Sequence, residues 1–240
     1  MAAETSTGKC LLCGATVGKS SMTRHVKSCK KNKTDGSGPE KTPVFHLVVE
    51  GRYLPEYWLH LEVQAEAGLR DLDAFLRSIW LECCGHLSAF TIDGEQYLPE
   101  EALEDDEACM DDVSMKDVLT PGKTFFHTYD FGTSTELQLR AVSQSESAQS
   151  ESAPNDSAIE LLARNDPPEI ACGTCGEPAV QVCSGCIFAD DKAWCCDECA
   201  SKHECGEEML LPVTNSPRVG MCAYTGEQDN LPGWEPPDDD

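Results

Sequence analysis

The sequence is poor in positive charge. Lysine and arginine number 18 against 43 aspartate and glutamate residues, so the formal net charge of the 240-residue chain is −25. A surface this acidic repels phosphate backbones, which excludes coating of nucleic acid by the bulk of the protein. Apolar runs of the roughly 18 residues that a membrane span needs are missing too. The first residues lack the apolar core of a signal peptide, and we therefore expect a cytoplasmic protein without a membrane partner.

Cysteine, by contrast, is abundant, with 15 residues and thus an odd number. Because disulfides do not persist in a reducing compartment, clustered cysteines there are more often metal thiolates. Twelve of them lie in two terminal clusters, at 10–29 and 172–222, and only Cys83, Cys84 and Cys109 lie between. This distribution predicts metal sites near both ends of the chain.

The N-terminal cluster has the spacing of a zinc site. Cys10 and Cys13 are followed after eleven residues by His25, and Cys29 follows His25 by four positions. Side chains four residues apart leave the same face of a helix, and thiolate and imidazole are ligands that zinc prefers. The alternative is a set of unrelated cysteines and a surface histidine. The spacing resembles that of a ββα zinc finger whose last ligand is cysteine.

Only this N-terminal segment could approach a nucleic acid. Residues 1–41 hold eight basic and three acidic residues, a net charge of +5. One finger alone reads about 3 base pairs, which is too few for specificity. Arg24 and Lys27 are the only reading residues that its helix offers. A structural or protein-binding finger is the alternative.

The C-terminal cluster offers eight ligands, enough for two zinc ions. They form four pairs, namely Cys172 and Cys175, Cys183 and Cys186, Cys196 and Cys199, and His203 and Cys205. Only seven residues separate the first two pairs, which favours an interleaved arrangement of pairs one and three on one ion, and two and four on the other. Spacing alone leaves the pairing open. Cys195 could replace Cys196, and Cys222 could become the eighth ligand.

The four-pair run resembles cross-braced zinc fingers of the MYND type, in which an aromatic residue precedes the third pair as Trp194 does here. Its ending, His203-x-Cys205, is similar to that of AN1-type fingers. A closed shell rich in thiolates leaves no position for a water molecule and makes zinc a poor Lewis acid. We therefore predict structural rather than catalytic zinc.

The middle of the chain holds few residues suited to catalysis. Cys83 or Cys84 with His86 as base could form a thiol nucleophile, and His127 is the other candidate. Buried cysteine is also common as a small apolar residue, and the sequence displays no third group to orient the base. We predict that the protein is not an enzyme.

Residues 43–142 have the pattern of one small α+β domain. Apolar runs predict strands at 44–51 and 57–63, and a helical stripe covers 69–80. Asp93-Gly94 predicts a hairpin turn, and 114–119 a short helix before two closing strands. We expect one helix on a mostly antiparallel, β-grasp-like (ubiquitin-like) sheet.

Three motifs of this domain carry a resemblance. They are Leu72-Asp73-Ala74-Phe75-Leu76 leading to Ile79-Trp80, Gly85-His86-Leu87 with Phe90, and Tyr129-Asp130-Phe131-Gly132. The domain resembles the plasmid pRiA4b ORF-3-like family, which has no established activity and is loosely linked with mobile elements. That resemblance implies no substrate. Family members often continue the third motif with an acidic residue, Trp and His, where this chain has Thr133-Ser134-Thr135-Glu136.

Together these patterns divide the chain into six parts. We expect a zinc finger at 1–30, a linker at 31–42, the ORF-3-like domain at 43–142, a linker at 143–168 with a short helix at 158–164, a double-zinc module at 169–225 and an acidic tail at 226–240. The function that they favour is a non-enzymatic adaptor that binds a protein partner and about three structural Zn²⁺ ions. The alternatives are a nucleic-acid-associated regulator acting through residues 1–41, and a cysteine-dependent enzyme.

Overall fold

The computed structural model describes residues 6–33, 41–103, 107–148 and 158–226. The chain forms two compact units, one made of Met1–Leu76 and Leu87–Asp166, the other of Arg77–His86 and Pro167–Asp240. Parts of both predicted linkers, 34–40 and 149–157, and the tail from 227 lie outside the described residues. Among the helices of the described ranges, none has the length and apolar character needed to cross a membrane.

The first unit is built mainly of strands. In chain order, its elements are β1 (Thr7–Cys10), β2 (Thr16–Gly18), α1 (Lys19–Lys33), β3 (Lys41–Gly51), β4 (Trp58–Gln64), α2 (Leu69–Leu76), β5 (Ser88–Ile92), β6 (Glu95–Leu98), β7 (Ala108–Cys109), α3 (Met115–Val118), β8 (Thr124–Tyr129), β9 (Thr135–Ala148) and β10 (Ile159–Asn165).

These strands form one sheet in the order β2-β1-β10-β4-β3-β9-β8-β5-β6-β7. All neighbours are antiparallel except β6 and β7. The predicted α+β class is confirmed, as are the strand pairs around 44–63 and the hairpin at Asp93-Gly94. Asp93 and Gly94 both have positive φ, 53° and 88°, as a two-residue turn that matches strand twist requires.

The core of the sheet follows from apolar runs and one amphipathic helix. Residues 44–49 of β3 are all buried, because this strand lies between β4 and β9 and both of its faces are covered. Helix α2 buries Leu69, Leu72 and Leu76 on one stripe. Helical structure covers the predicted span 69–80, but α-helical bonding ends at Leu76 and a π-helical turn continues over Arg77–Leu81.

The short helix predicted at 158–164 is wrong, because this segment is strand β10. It lies between β1 and β4, with a bulge between Leu161 and Ala163. Leucine, alanine, glutamate and arginine favour helix as single residues, but pairing with strands on both sides and burial of residues 162–165 override that preference.

Strand β10 also joins the N-terminal finger to the central sheet. Finger strand β1 pairs with β10, and Cys10, Met22 and Val26 pack in one buried cluster with Trp58, Leu162 and Ala163. The Trp58 indole N–H donates to Ser6 Oγ at 2.9 Å. The finger therefore belongs to the same compact unit as the central sheet.

The second unit has little regular structure. Its elements are a π-helical turn (Arg77–Leu81), β11 (Gln181–Cys183), β12 (Trp194–Cys195), α4 (Asp197–Ala200) and β13 (Leu210–Pro212). The three strands form a small antiparallel sheet in the order β12-β11-β13. Much of the rest of the described chain in this unit lies outside strands and α-helices, including the segments 82–86 and 213–226.

Substitution of Gly8 tests the joining of finger and sheet. A Cβ at Gly8 would lie 2.3 Å from the Arg164 carbonyl oxygen and 2.5 Å from the Trp58 ring, both closer than atoms can approach. We expect Gly8→Ala to lower the free energy of unfolding by ~1–3 kcal/mol, the usual cost of overpacking, and to speed hydrogen exchange in β1 and β10. Urea denaturation and hydrogen-exchange mass spectrometry measure the two effects.

Gly18→Ala is the matched control, since a Cβ there would meet nothing within 4 Å. We expect its unfolding free energy to stay within ~0.5 kcal/mol of the parent value. Equal exchange rates of β1 and β10 in the two variants would contradict the fused arrangement.

Candidate metal centres

The finger ligands converge from a turn and a helix. Cys10 ends β1, and the turn after it is closed by the N–H of Gly14 donating to the Cys10 carbonyl at 2.7 Å. His25 and Cys29 lie one turn apart on α1. The Cys13 Sγ and His25 Nε2 atoms are 3.3 Å apart, and all four ligand atoms lie within 4.8 Å of one another.

Pairs one and three of the C-terminal cluster form a second group. The ligand atoms of Cys172, Cys175, Cys196 and Cys199 lie within 4.8 Å of one another, with the Cys175 and Cys196 sulfurs 3.5 Å apart. The N–H of Gly176 donates to the Cys172 carbonyl at 2.9 Å, which curls the chain so that both thiols of this pair face the same point. The other pair lies at the start of α4.

Pairs two and four form the third group, which consists of Cys183, Cys186, His203 and Cys205. The Cys186 sulfur lies 3.6 Å from His203 Nε2 and 3.6 Å from the Cys205 sulfur. The two groups therefore alternate along the sequence, which is the interleaved arrangement that the short first spacing favours.

Cys195 lies outside these groups. Its buried thiol contacts the carbonyl oxygens of Lys192 at 3.5 Å and Ala193 at 3.7 Å. The sulfur is also 4.0 Å from His203 Nδ1, the ring nitrogen that faces away from Cys186. Cys195 thus supports the orientation of a candidate ligand, and Cys196 takes the position beside Cys175.

A fourth group was not predicted from the sequence. Cys83, Cys84, His86 and Cys222 bring their ligand atoms within 4.8 Å of one another, and all four residues belong to the second unit. The Cys222 sulfur is 3.7 Å from the Cys84 sulfur and 3.4 Å from His86 Nε2. Cys222 therefore completes this group and not the C-terminal pairs. The described residues hold four candidate metal groups, where about three ions were expected.

The distances within all four groups fit zinc. Tetrahedral zinc with sulfur at about 2.3 Å and nitrogen at about 2.05 Å places two sulfurs about 3.8 Å apart and nitrogen and sulfur about 3.6 Å apart. The observed separations run from 3.3 to 3.7 Å. A disulfide would need about 2.05 Å, and all fifteen cysteines are free thiols. Every group is thus compatible with zinc.

The thiols of the finger group and of the second group differ in pKa because they lie close to one another. Hydrogen bonds from the Ala15 backbone and from Cys29 lower the pKa of Cys13 to about 7, and the bond with Cys13 raises the pKa of Cys29 to about 11. Backbone hydrogen bonds, first from Cys196, lower the pKa of Cys172 to about 6. The pKa of Cys199 is raised, chiefly by its bond with Cys175. One thiolate in each group makes the next costly to form.

The third and fourth groups repeat this pattern. Burial raises the pKa of Cys183, but hydrogen bonds led by that of His203 outweigh it and bring the value to about 7. Bonding with Cys205 raises the pKa of Cys186 to about 12. In the fourth group His86 lowers the pKa of Cys222 to about 7, and Cys222 raises that of Cys84 to about 11. A bound cation would remove the repulsion that keeps these thiols from ionising together.

The remaining catalytic candidate of the sequence, His127, is sealed in the sheet. Its ring is fully buried, its Nε2 lies 2.8 Å from Asp73 Oδ1, and it packs on Phe90 with ring centroids 4.7 Å apart. A side chain without solvent access in this position cannot reach a substrate. His86, the other candidate base, contacts Cys222, which the sequence did not pair with it.

Alanine substitutions at adjacent positions test the ligand assignment. We expect Cys196→Ala to bind one zinc ion fewer than the parent, because it removes a thiol from the second group. Cys195→Ala is the matched control and should keep the parent zinc count, since its sulfur bonds only to backbone and to a ligand's outer nitrogen. Native mass spectrometry counts the ions. Loss of an ion from the Cys195 variant alone would reverse the assignment.

Comparison with known proteins names no family and no function for the chain. No family model matches the sequence. No curated protein matches it either. The crystal structure of a protein of unknown function from Methanosarcina mazei Go1 is similar to part of it, with 17% identity over 52% of this chain and 68% of that chain and a TM-score of 0.43.

Proposed function

We propose that the protein is a non-enzymatic adaptor in which structural zinc ions hold the N-terminal finger and the double-zinc module in shape. The observation that carries this proposal is the closed four-ligand composition of the finger, second and third groups. A tetrahedral shell of protein ligands leaves no coordination position for a water molecule or substrate. Such zinc ions contribute folding energy and no chemistry.

The need for metal is greatest in the second unit. Its sheet has three strands, the longest of three residues, so backbone pairing alone gives little stability. Two zinc ions bound by interleaved pairs would cross-link the strands and turns of this module, as a larger apolar core does in other proteins. The interleaved pairs support our proposal that this module is similar to cross-braced fingers of the MYND type.

A partner surface is proposed on the double-zinc module, around Phe188. This side chain is 73% exposed, and Val180 of the same module is 44% exposed. The N–H groups of Ala189 and Asp190 both donate to the carbonyl of Cys186, at 2.8 and 3.0 Å, so the backbone of a metal ligand fixes the turn that presents Phe188. Aromatic side chains held on a rigid support are frequent anchors in protein interfaces.

Two further assignments remain proposals. We place the central sheet with β-grasp-like domains of the plasmid pRiA4b ORF-3-like family, supported by the motif Leu72–Leu76 in α2 and by Tyr129 at the end of β8. We also propose that the protein acts in the cytoplasm, supported by fifteen cysteines that are all free thiols.

Matched aspartate substitutions test the adaptor proposal. We expect Phe188→Asp to abolish capture of the proteins that the zinc-loaded parent chain retains from a cell extract, because the charge would be buried in the interface. Tyr53→Asp alters an equally exposed aromatic side chain of the first unit, 72% exposed, and should leave capture unchanged. Quantitative mass spectrometry compares the captured proteins. Equal capture by both variants would exclude the Phe188 surface.

Nucleic-acid binding by the finger is a second candidate, favoured by one observation. Arg24, Lys27 and Lys31 are exposed on α1 at a spacing that places them on one face. Two other lysines of this helix face the central sheet, since Lys19 pairs with Glu50 and Lys30 with Glu62. Part of the positive charge of the finger is thus neutralised within the first unit.

The helix positions that would contact DNA bases also carry few side chains suited to do so. Positions −1, 3 and 6 relative to the helix start would read bases. With the helix beginning at Lys19, these are Gly18, Ser21 and Arg24, of which only Arg24 is charged. The adaptor function is therefore the better supported of the two.

A salt titration decides between these functions. We expect the zinc-loaded full chain to bind a labelled DNA duplex no more tightly than ~10⁻⁴ M at about 50–200 mM salt, because its net charge opposes binding. Fluorescence anisotropy measures the affinity. Tighter binding that weakens steeply with salt, and that is lost in Arg24→Ala but kept in Ser28→Ala, would establish the nucleic-acid function instead.

A further inference from the structure

The fourth group joins two segments of the second unit that are distant in sequence. Cys83, Cys84 and His86 follow the π-helical turn, whereas Cys222 lies on the C-terminal segment 213–226. In the described part of the chain, side chains rather than strand pairing connect these segments. The Trp80 indole donates to the Asn215 carbonyl at 3.1 Å, and the Ser216 hydroxyl donates to the Trp80 carbonyl at 2.7 Å.

A buried cation lies beside this group. Arg218 is fully buried, and its Nε and one terminal nitrogen both donate to the Cys83 sulfur at 3.4 Å. Its backbone N–H donates to Ser216 Oγ at 2.9 Å, which fixes the segment that carries the guanidinium. The contact places the positive charge of the guanidinium directly beside one sulfur of the fourth group.

The backbone of the C-terminal segment is adapted to present Cys222. This residue has φ of 51°, a left-handed conformation that is costly for a side chain other than glycine or asparagine. Two residues earlier, Gly220 also has positive φ, and a Cβ there would lie 2.4 Å from the Ile187 side chain. The close packing at Gly220 and the strained backbone at Cys222 place the thiol beside His86.

We propose that Cys83, Cys84, His86 and Cys222 bind a fourth zinc ion, which fastens the C-terminal segment 213–226 to residues 82–86. The ligand separations of 3.4 and 3.7 Å fit tetrahedral zinc. A divalent ion with three thiolates and a neutral imidazole keeps one negative charge, and Arg218 balances it. This site is separate from the three zinc ions of the adaptor proposal and could exist without any protein partner.

This zinc ion differs from the others in what it holds together. The finger, second and third groups join residues that are near in sequence, whereas the contact of His86 with Cys222 spans 136 positions. Loss of the fourth zinc would therefore release the part of the C-terminal segment around Cys222, while Trp80 still holds Asn215 and Ser216, and would leave the other three sites closed. Because Cys84 and Cys222 are exposed, a chelator can also reach this site from solvent.

Zinc counting on the full-length protein tests the proposal. We expect native mass spectrometry to find four zinc ions in the parent, three in Cys222→Ser and three in Cys84→Ser. Cys109→Ser changes a cysteine that lies outside all four groups and should keep four ions. Three ions in the parent, with the same three in Cys222→Ser, would overturn the fourth site while leaving the adaptor proposal intact.

Alkylation of the unaltered protein gives a second test that does not depend on the folding of a variant. The exposed thiol of Cys222 is open to iodoacetamide unless a metal holds it. We expect chelator to raise the alkylation rate of Cys222 by at least ~10-fold, followed peptide by peptide with mass spectrometry, while the rate of Cys109 stays constant. Fast alkylation of Cys222 in the zinc-loaded protein, or a Cys84–Cys222 disulfide, would overturn the proposal and point to thiol chemistry at the Cys222–His86 pair.

Discussion

Thiolates that lie within a few ångströms of one another repel, and the form of this protein depends on how that repulsion is relieved. All but two of the fifteen cysteines lie in four groups with ligand atoms closer than 4.8 Å, and each group holds thiols of widely different acidity. A divalent cation at the centre of each group would remove the conflict. For the second unit, whose sheet is small, metal binding would then be coupled to folding.

The first unit solves a different problem, because its finger shares a core with the neighbouring sheet. Met22 and Val26 of α1 pack on Trp58 of β4 and on Leu162 of β10, so the helix has a covered apolar face as well as a metal site. Lys19 and Lys30 meet glutamates of the central strands. The N-terminal segment is thus part of the core of the first unit and not a separate module on a flexible linker.

Short-range spacing made most of the candidate ligands predictable from sequence. Pairs such as Cys172 and Cys175 lie in one tight turn, so their geometry is local and the residue pattern specifies it. The sequence did not predict the fourth group because Cys222 approaches His86 only through the tertiary fold. The adjacent residues Cys83 and Cys84 also lack the spacing that is typical of metal ligands. Strand β10 departs from its helix-favouring composition for a related reason, since its partners β1 and β4 lie more than ninety positions away.

The position of β10 has a consequence for the order in which the protein is made. The finger ligands lie within residues 10–29, so that site can close as soon as the N-terminal segment leaves the ribosome. Its apolar face, however, needs Leu162 and Ala163, which at usual elongation rates follow on the order of ten seconds later. During that interval Met22 and Val26 are uncovered. If the finger binds its metal at once, the nascent chain would pass through a stage with the metal bound and the apolar face exposed, in which a chaperone that covers apolar surface has time to act.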